Sequence, residues 1–229
     1  MRKIVLVFCM AVALTGCNFS LNSNSKRVIC RGDVIVKNLE TELNLRDFDQ
    51  IVINGAADIQ YVQNERFSVK VEANEQVFEH LNYSVENGVL KLENKDNVQI
   101  VADKFDVYIS SPVLKAVGVN GASDASILSL QSEEDLAITV NGAGDIELKN
   151  ITVPTLSFTI NGAGDLDAQG LDVEKLLVSV NGAGDVDVSG KAGYASFSVS
   201  GAGDVDARGL ECDNIEKRKS GVASIRTRN

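Results

Sequence analysis

Six times between residues 53 and 204 the chain writes an apolar residue, Asn or Ser, Gly, Ala, a small residue and Asp. Lys219-Ser220-Gly221-Val222-Ala223-Ser224 is a worn seventh copy. From Asn120 onward the copies are spaced by 21, 20, 20, 19 and 20 residues. A fixed period near twenty predicts stacked coils, because one such unit cannot bury its own apolar face and needs a neighbour above and below it. A catalytic constellation needs only one copy of its residues. The repeat therefore speaks first about architecture.

Within each copy apolar residues alternate with small or polar ones. Leu136, Ile138 and Val140 precede one corner, Leu156, Phe158 and Ile160 the next, and Leu176, Val178 and Val180 the third. Beyond the corners stand Ile146 and Leu148, Leu166 and Ala168, Val186 and Val188, then Val205 and Ala207. Period two is the mark of a half-buried strand. Each coil thus reads as strand, corner, strand and looser return, with coils about 4.8 Å apart. The fold class expected is all-β, a parallel β-helix or β-solenoid with coils of about twenty residues. At the corners Gly55, Gly121, Gly142, Gly162, Gly182 and Gly201 supply conformations that a Cβ would strain. Asn54, Asn120, Asn141, Asn161 and Asn181, stacked at one level, are placed to run an amide ladder along the axis.

The step from Asn54 to Asn120 is 66 residues, so a segment of about 62–112 is inserted. It contains an alternating run Arg66–Glu72, a helical turn near Glu75–Leu81, and a hairpin with Asn87-Gly88 at its tip. This insert is expected to pack as a small sheet against the solenoid. At the other end Lys217 and Lys219 replace Phe197 and Val199, the polar face that a terminal coil needs to stop edge-to-edge growth. Cys212 aligns with Val153 and Val173 and reads as a small buried hydrophobe, while Cys30 lies several coils away, too far for a disulfide.

The first residues, MRKIVLVFCMAVALTGC, have a basic start, a short apolar run and then Leu14-Thr15-Gly16-Cys17. They resemble a bacterial lipoprotein leader cut before an acylated Cys17. The expected organisation is a leader over 1–16, the lipidated Cys17 and a polar tether over 17–27, and the solenoid over 28–228. Loss of Arg2 and Lys3 with the leader takes the formal net charge from −10 to −12. No Lys/Arg patch interleaved with aromatics occurs, which argues against nucleic acid as a partner. Asn18 in place of an acidic residue after Cys17 favours the outer membrane, with the periplasmic and cell-surface faces both open.

A family likeness follows from these residues in order: Asp49-Gln50-Ile51-Val52-Ile53-Asn54-Gly55-Ala56, the hairpin insert, Val107 through Pro112 to Asn120, and then the Asn/Ser-Gly-Ala-Gly-Asp coils. Over about residues 30–228 the chain resembles the head GIN domain family of auto-transporter adhesins, found on lipoproteins of Bacteroides-like bacteria. The resemblance implies a right-handed β-helix and a role in adhesion, with a glycan or protein as ligand, and it carries no catalytic residues. The chain departs from the pattern at Ala57, Ser123 and Val222, where the second corner Gly is replaced.

Two acidic columns are the candidate binding feature. Asp58, Asp124, Asp145, Asp165, Asp185 and Asp204 form one, and Glu147, Asp167, Asp187 and Asp206, two residues further on, form an outward-facing second. Carboxylates about 4.8 Å apart repel by about 0.9 kcal/mol per pair even in water, so something must offset them. One reading has each first-column Asp accept hydrogen bonds from its own Gly-rich corner; the other has Asp145, Asp165, Asp185 and Asp204 hold Ca²⁺ between coils. No other cofactor is implied. Arg31-Gly32-Asp33 fits the Gly turn of a first coil. No Gly-x-Gly-x-x-Gly fingerprint is present, since Gly162 and Gly164 are followed next by Gly170. His80 is the chain's one histidine and lacks the partners of a nucleophile triad. The reading is a binding or scaffold protein, with a polysaccharide lyase or hydrolase on a β-helix as the enzymatic alternative.

Overall fold

A computed structural model describes residues 26–30, 38–95, 98–102 and 104–228; the leader, Cys17 and Arg31-Gly32-Asp33 lie outside them. In chain order the early elements are β1 (Lys26–Cys30), β2 (Asn38–Leu43), β3 (Gln50–Gly55), β4 (Asp58–Gln63), β5 (Ser68–Asn74), α1 (Glu75–His80), β6 (Leu81–Glu86), β7 (Val89–Asn94), β8 (Val98–Ala102) and β9 (Phe105–Ser111). The repeats supply β10 (Ala116–Ala122), β11 (Ala125–Gln131), β12 (Leu136–Ala143), β13 (Ile146–Ala163), β14 (Leu166–Ala183), β15 (Val186–Glu211) and β16 (Ile215–Thr227). Strands make up 77% of the structure, wound as a β-solenoid of about six turns that runs into a curled sheet.

Period-two burial sets two parallel walls around a thin apolar column. On the first wall β3, β10, β12 and the later parts of β13, β14 and β15 stack in register up to β16, so that Ile138 lies over Phe158, Phe158 over Val178 and Val178 over Phe197. On the second, β4, β11 and the opening residues of β13, β14 and β15 stack likewise, with Ile146 over Leu166 and Leu166 over Val186. Leu136, Val140, Leu148, Leu156, Leu176, Val180 and Val188 are all fully buried. Burying one such side chain contributes about 1.5–3 kcal/mol, and the column repeats that gain on every turn.

The 62–112 insert is not a separate sheet packed on the solenoid. β7 pairs parallel with β3 and β9 pairs parallel with β4, so the insert extends both walls. Antiparallel strands then close them, β6 on β7 and β5 on β9, with β2 outside β5. The first coil offers rows of backbone donors and acceptors, and the insert strands satisfy them. At the hairpin tip Asn87 and Gly88 have φ of 53° and 78°, as a two-residue hairpin turn demands. The short α1 is capped by Asn74, whose Oδ1 accepts the Gln76 N–H at 3.0 Å. β1 starts at Lys26, inside the stretch expected as tether, and pairs parallel with β8.

The two corner glycines answer different needs. Gly142 has φ of +139°, and a Cβ there would stand 2.1 Å from the carbonyl oxygen of Gly121 in the coil below. Gly144 is not in the left-handed region, yet its Cβ would stand 2.0 Å from the carbonyl oxygen of Ser123, so close stacking alone requires glycine there. In the last coil Val222 faces Ala202 and it is Ala223 that faces Gly203; the departure from the second Gly therefore falls at Ala223, not at Val222. The 19-residue step is absorbed on the return side, where the register jumps between Ala168 and Leu171 and Gly190 stands opposite Leu171. Cys212 is a free, half-buried thiol, its Sγ 3.4 Å from the carbonyl oxygen of Asn214; it is less enclosed than Val153 and Val173 because its place lies near the end of the stack.

Candidate functional site

Repetition along the axis turns each corner position into a column. Asn120 Nδ2 donates to Asn54 Oδ1 at 2.8 Å, Asn141 to Asn120 at 2.8 Å, Asn161 to Asn141 at 2.9 Å and Asn181 to Asn161 at 3.0 Å. Glu93 Oε2 accepts from Asn54 Nδ2 at 3.4 Å and so begins the ladder. Ser200 and Ser220 continue the column without amides.

Beside this ladder runs the first acidic column. Each Asp accepts from the coil above and not from its own corner, which corrects the expectation from sequence. Asp145 N–H donates to Asp124 Oδ1 at 2.8 Å, Asp165 N–H to Asp145 Oδ1 at 3.2 Å, Asp185 N–H to Asp165 Oδ1 at 2.7 Å and Asp204 N–H to Asp185 Oδ1 at 2.9 Å. Asp124 N–H reaches Asp58 Oδ1 at 3.4 Å. The geometry follows from stacking: the backbone N–H nearest a carboxylate is one coil away. Charge-assisted bonds of this kind contribute about 1.5–3 kcal/mol each, more than the like-charge repulsion between exposed neighbours. Burial pushes the Asp58 carboxyl above its ordinary value, with the nearby Asp124 and Asp106 charges adding to the rise against the Asp124 N–H bond.

The second column is stabilised from within each strand. Lys149 pairs with Glu147, Gln169 Nε2 donates to Asp167 Oδ1 and Oδ2 at 3.1 and 3.0 Å, and Arg208 Nε donates to Asp206 Oδ1 and Oδ2 at 2.9 and 3.0 Å. In every case the donor sits two residues on, where a strand returns to the same face. Ser189 fills that place beside Asp187. Burial raises the Asp187 carboxyl, and the charges of Asp206 and Asp167 raise it further. The Arg208 side chain, then its N–H, hold Asp206 down at about 2. Lys149 likewise lowers Glu147.

Together the columns line an open axial trough of about 680 Å³. Arg226 closes it at the last coil, its Nη2 donating to Asp204 Oδ2 at 2.9 Å. Asp145, Asp165, Asp185 and Asp204 thus share one line of the trough but spread along it, and among the described residues no three His, Cys, Asp or Glu converge as a metal-ligand group. His80 ends α1 away from the trough, its carbonyl accepting the Lys95 N–H at 2.8 Å.

Three side chains around the coils make contacts that the repeat pattern does not give. Ser123, 2% exposed, accepts the Ala57 N–H at 2.9 Å through Oγ and so replaces a carbonyl partner in the first coil. Gln63 clamps the return side, Nε2 donating to the carbonyls of Pro112 and Gln131 at 2.9 Å each while Oε1 accepts the Gln131 N–H at 2.9 Å. Arg226 comes from the coil that had lost the motif. The Glu-x-Lys and Asp-x-Arg spacings were readable; the partners of these three were not. No helix among the described residues is long and apolar enough to cross a membrane.

The fold recurs in solved structures. A putative adhesin from Parabacteroides distasonis ATCC 8503 superposes with a TM-score of 0.79 at 24% identity over 88% of this chain and 84% of its own. A structure described as a putative lipid binding protein from the same strain gives 0.78 at 21% identity, over 89% and 98%. A putative adhesin from Parabacteroides merdae ATCC 43184 gives 0.73 at 23%, over 88% and 83%. At these identities the shared property is the fold. No curated protein matches the sequence. Residues 47–171 and 136–229 match the family described as "Putative auto-transporter adhesin, head GIN domain". With the coils, the corner motif and both matched segments in agreement, the chain belongs to the head GIN domain family of adhesins.

Proposed function

We propose that the chain is a lipid-anchored binding module of the cell envelope, held at the outer membrane by an acylated Cys17, spaced by the polar residues after it, and acting by adhesion and not by chemistry. The observation that carries this reading is the axial trough. Its carboxylates recur on coil after coil, so a ligand meets a periodic, stiff surface in place of a single reactive constellation. Such a surface suits an extended glycan or protein segment that presents hydrogen-bond donors at a matching repeat. The ladders fix the side chains beforehand, which lowers the ordering cost of binding.

Two measurements test the two halves of the proposal. Cells fed an alkyne analogue of palmitate should label the wild-type chain and leave Cys17→Ser unlabelled; an unlabelled wild type overturns the anchor. The full chain applied to glycan and envelope-protein arrays should bind, and Asp167→Asn/Asp187→Asn, which alters only exposed side chains, should lose that binding. Retention of binding by the double variant overturns the trough as the contact surface. Release of new reducing or unsaturated ends from a glycan overturns the binding-only reading.

A further inference from the structure

The strongest charge contrast in the molecule lies at its C-terminal coil. Residues 215–229 hold Lys217, Arg218, Lys219, Arg226 and Arg228 against Glu216 alone, a net +4 in a chain of −10, so residues 1–214 carry −14. This coil is also the open edge of the stack. β16 pairs with β15 on one side, and among the described residues nothing pairs with its other side. The edge is long and accessible: residues 216–222 are all exposed, and Val222 is 84% exposed. Lys217 and Lys219 stand in register with Phe197 and Val199, in the positions that face the core elsewhere. Lys217 Nζ donates to Thr227 Oγ1 at 2.6 Å across the mouth of the coil. Among the described residues Arg218 and Arg228 make exposed ion pairs, with Glu216 at 3.4 Å and Glu211 at 3.7 Å, which hold those cations weakly.

Such an edge is selective. Its cations repel basic strands, including the same edge of a second copy, and would lose their hydration without compensation under an apolar one; the −14 body repels acidic segments everywhere except here. We propose that the outer edge of β16 receives an extended acidic segment of a partner protein as one more strand, with carboxylates at alternate positions facing Lys217 and Lys219. A strand added about 4.8 Å away sets its side chains directly over those of β16, within reach of charge-assisted pairing, while its backbone takes up the free edge. Both features are needed: the cations choose the segment and the edge fixes its extended shape. The site is at the end of the rod, and its Lys217 and Lys219 lie outside the trough, which β16 reaches through Arg226.

The test uses the full, detergent-solubilised chain and fluorescent peptides as long as β16. A Thr-Glu alternating peptide should bind at least about tenfold more tightly than its Thr-Lys counterpart, with affinity falling as salt rises. N-methylation at alternate residues keeps the charge but removes edge pairing, and should weaken binding by about tenfold. Lys217→Glu/Lys219→Glu should reverse the preference toward the Thr-Lys peptide. Absence of Thr-Glu binding, equal binding of the methylated peptide, or displacement by dextran sulfate as efficient as by unlabelled Thr-Glu peptide overturns the proposal. The methylation comparison needs only the unaltered chain, so it stands even if the double variant misfolds.

Discussion

Replacement of Gly182 by Ala puts the stacking argument under direct strain. Gly182 has φ of +146°, and an added Cβ would lie 2.0 Å from the carbonyl oxygen of Gly162 and 2.9 Å from its carbon. Contacts below 3.0 Å are not tolerated, so the coils must part by about 1 Å locally, on a spacing of about 4.8 Å. That opening stretches the Asn181-to-Asn161 amide bond, now 3.0 Å, and the Gly164 N–H bond to the Ala183 carbonyl, now 3.2 Å, beyond bonding length. Two lost bonds cost about 0.5–1.5 kcal/mol each, and the forced backbone conformation about 1–3 kcal/mol. The expected destabilisation is roughly 2–6 kcal/mol, against a total of about 5–15 kcal/mol for a domain of ordinary stability. Gly118 is the internal control. It is not in the left-handed region, and its added Cβ would meet Val52 Cγ2 at 3.5 Å, an ordinary contact. Gly118→Ala should be neutral or stabilise by about 0.4–1 kcal/mol through the unfolded chain. Urea unfolding followed by far-ultraviolet circular dichroism, with m-values compared, measures both. Equal midpoints for the two variants would refute the claim that coil contact at the corner demands glycine.

Three further outcomes follow from the same geometry. Asn161→Ala removes one ladder bond on each side, and because water can reach the exposed site the loss should be about 1–2 kcal/mol in the same urea assay. Ser123→Ala leaves the buried Ala57 N–H without its acceptor and should cost about 1–3 kcal/mol, more than Ser126→Ala at an outward-facing, half-buried position of the same coil. Asp187 has a folded pKa above its usual 3.8, so its ionised form is the disfavoured one and its penalty is present above that folded value. Asp187→Asn should therefore raise the melting temperature at pH 7, and the advantage should fade as pH falls through the folded pKa and vanish below 3.8; a gain that is independent of pH would contradict the charge argument.

Much of this molecule was legible because repetition makes the same statement several times. The inward residues Ile138, Phe158, Val178 and Phe197 could be placed above one another from spacing alone, and so could the amides of Asn141, Asn161 and Asn181. Legibility failed where spacing was lost. Alternation in Val89–Asn94 and Phe105–Ser111 identifies strands but not partners, and both proved to continue the parallel walls. The acidic columns were visible, while the donor to each Asp was not, since an N–H one coil away is remote in sequence and adjacent only after winding. Ser123 was visible as a broken motif, but its compensating bond to Ala57, 66 residues away, forms only once the coil is wound.

The register from Asn141 to Asn161 to Asn181 also bears on how this rod can change length. The upper rim of each of these turns matches the lower rim of the next, residue for residue, down to the glycine-to-glycine contact. Duplication of residues 161–180 would thus insert a whole rung between identical neighbours, lengthening the molecule by about 4.8 Å without a new kind of contact. A partial duplication has no such seam: it would break the corner columns and, at an odd number of residues, throw polar side chains onto the inner face. Length in this architecture is therefore quantised, and tandem copying is the cheapest path by which its reach can be adjusted.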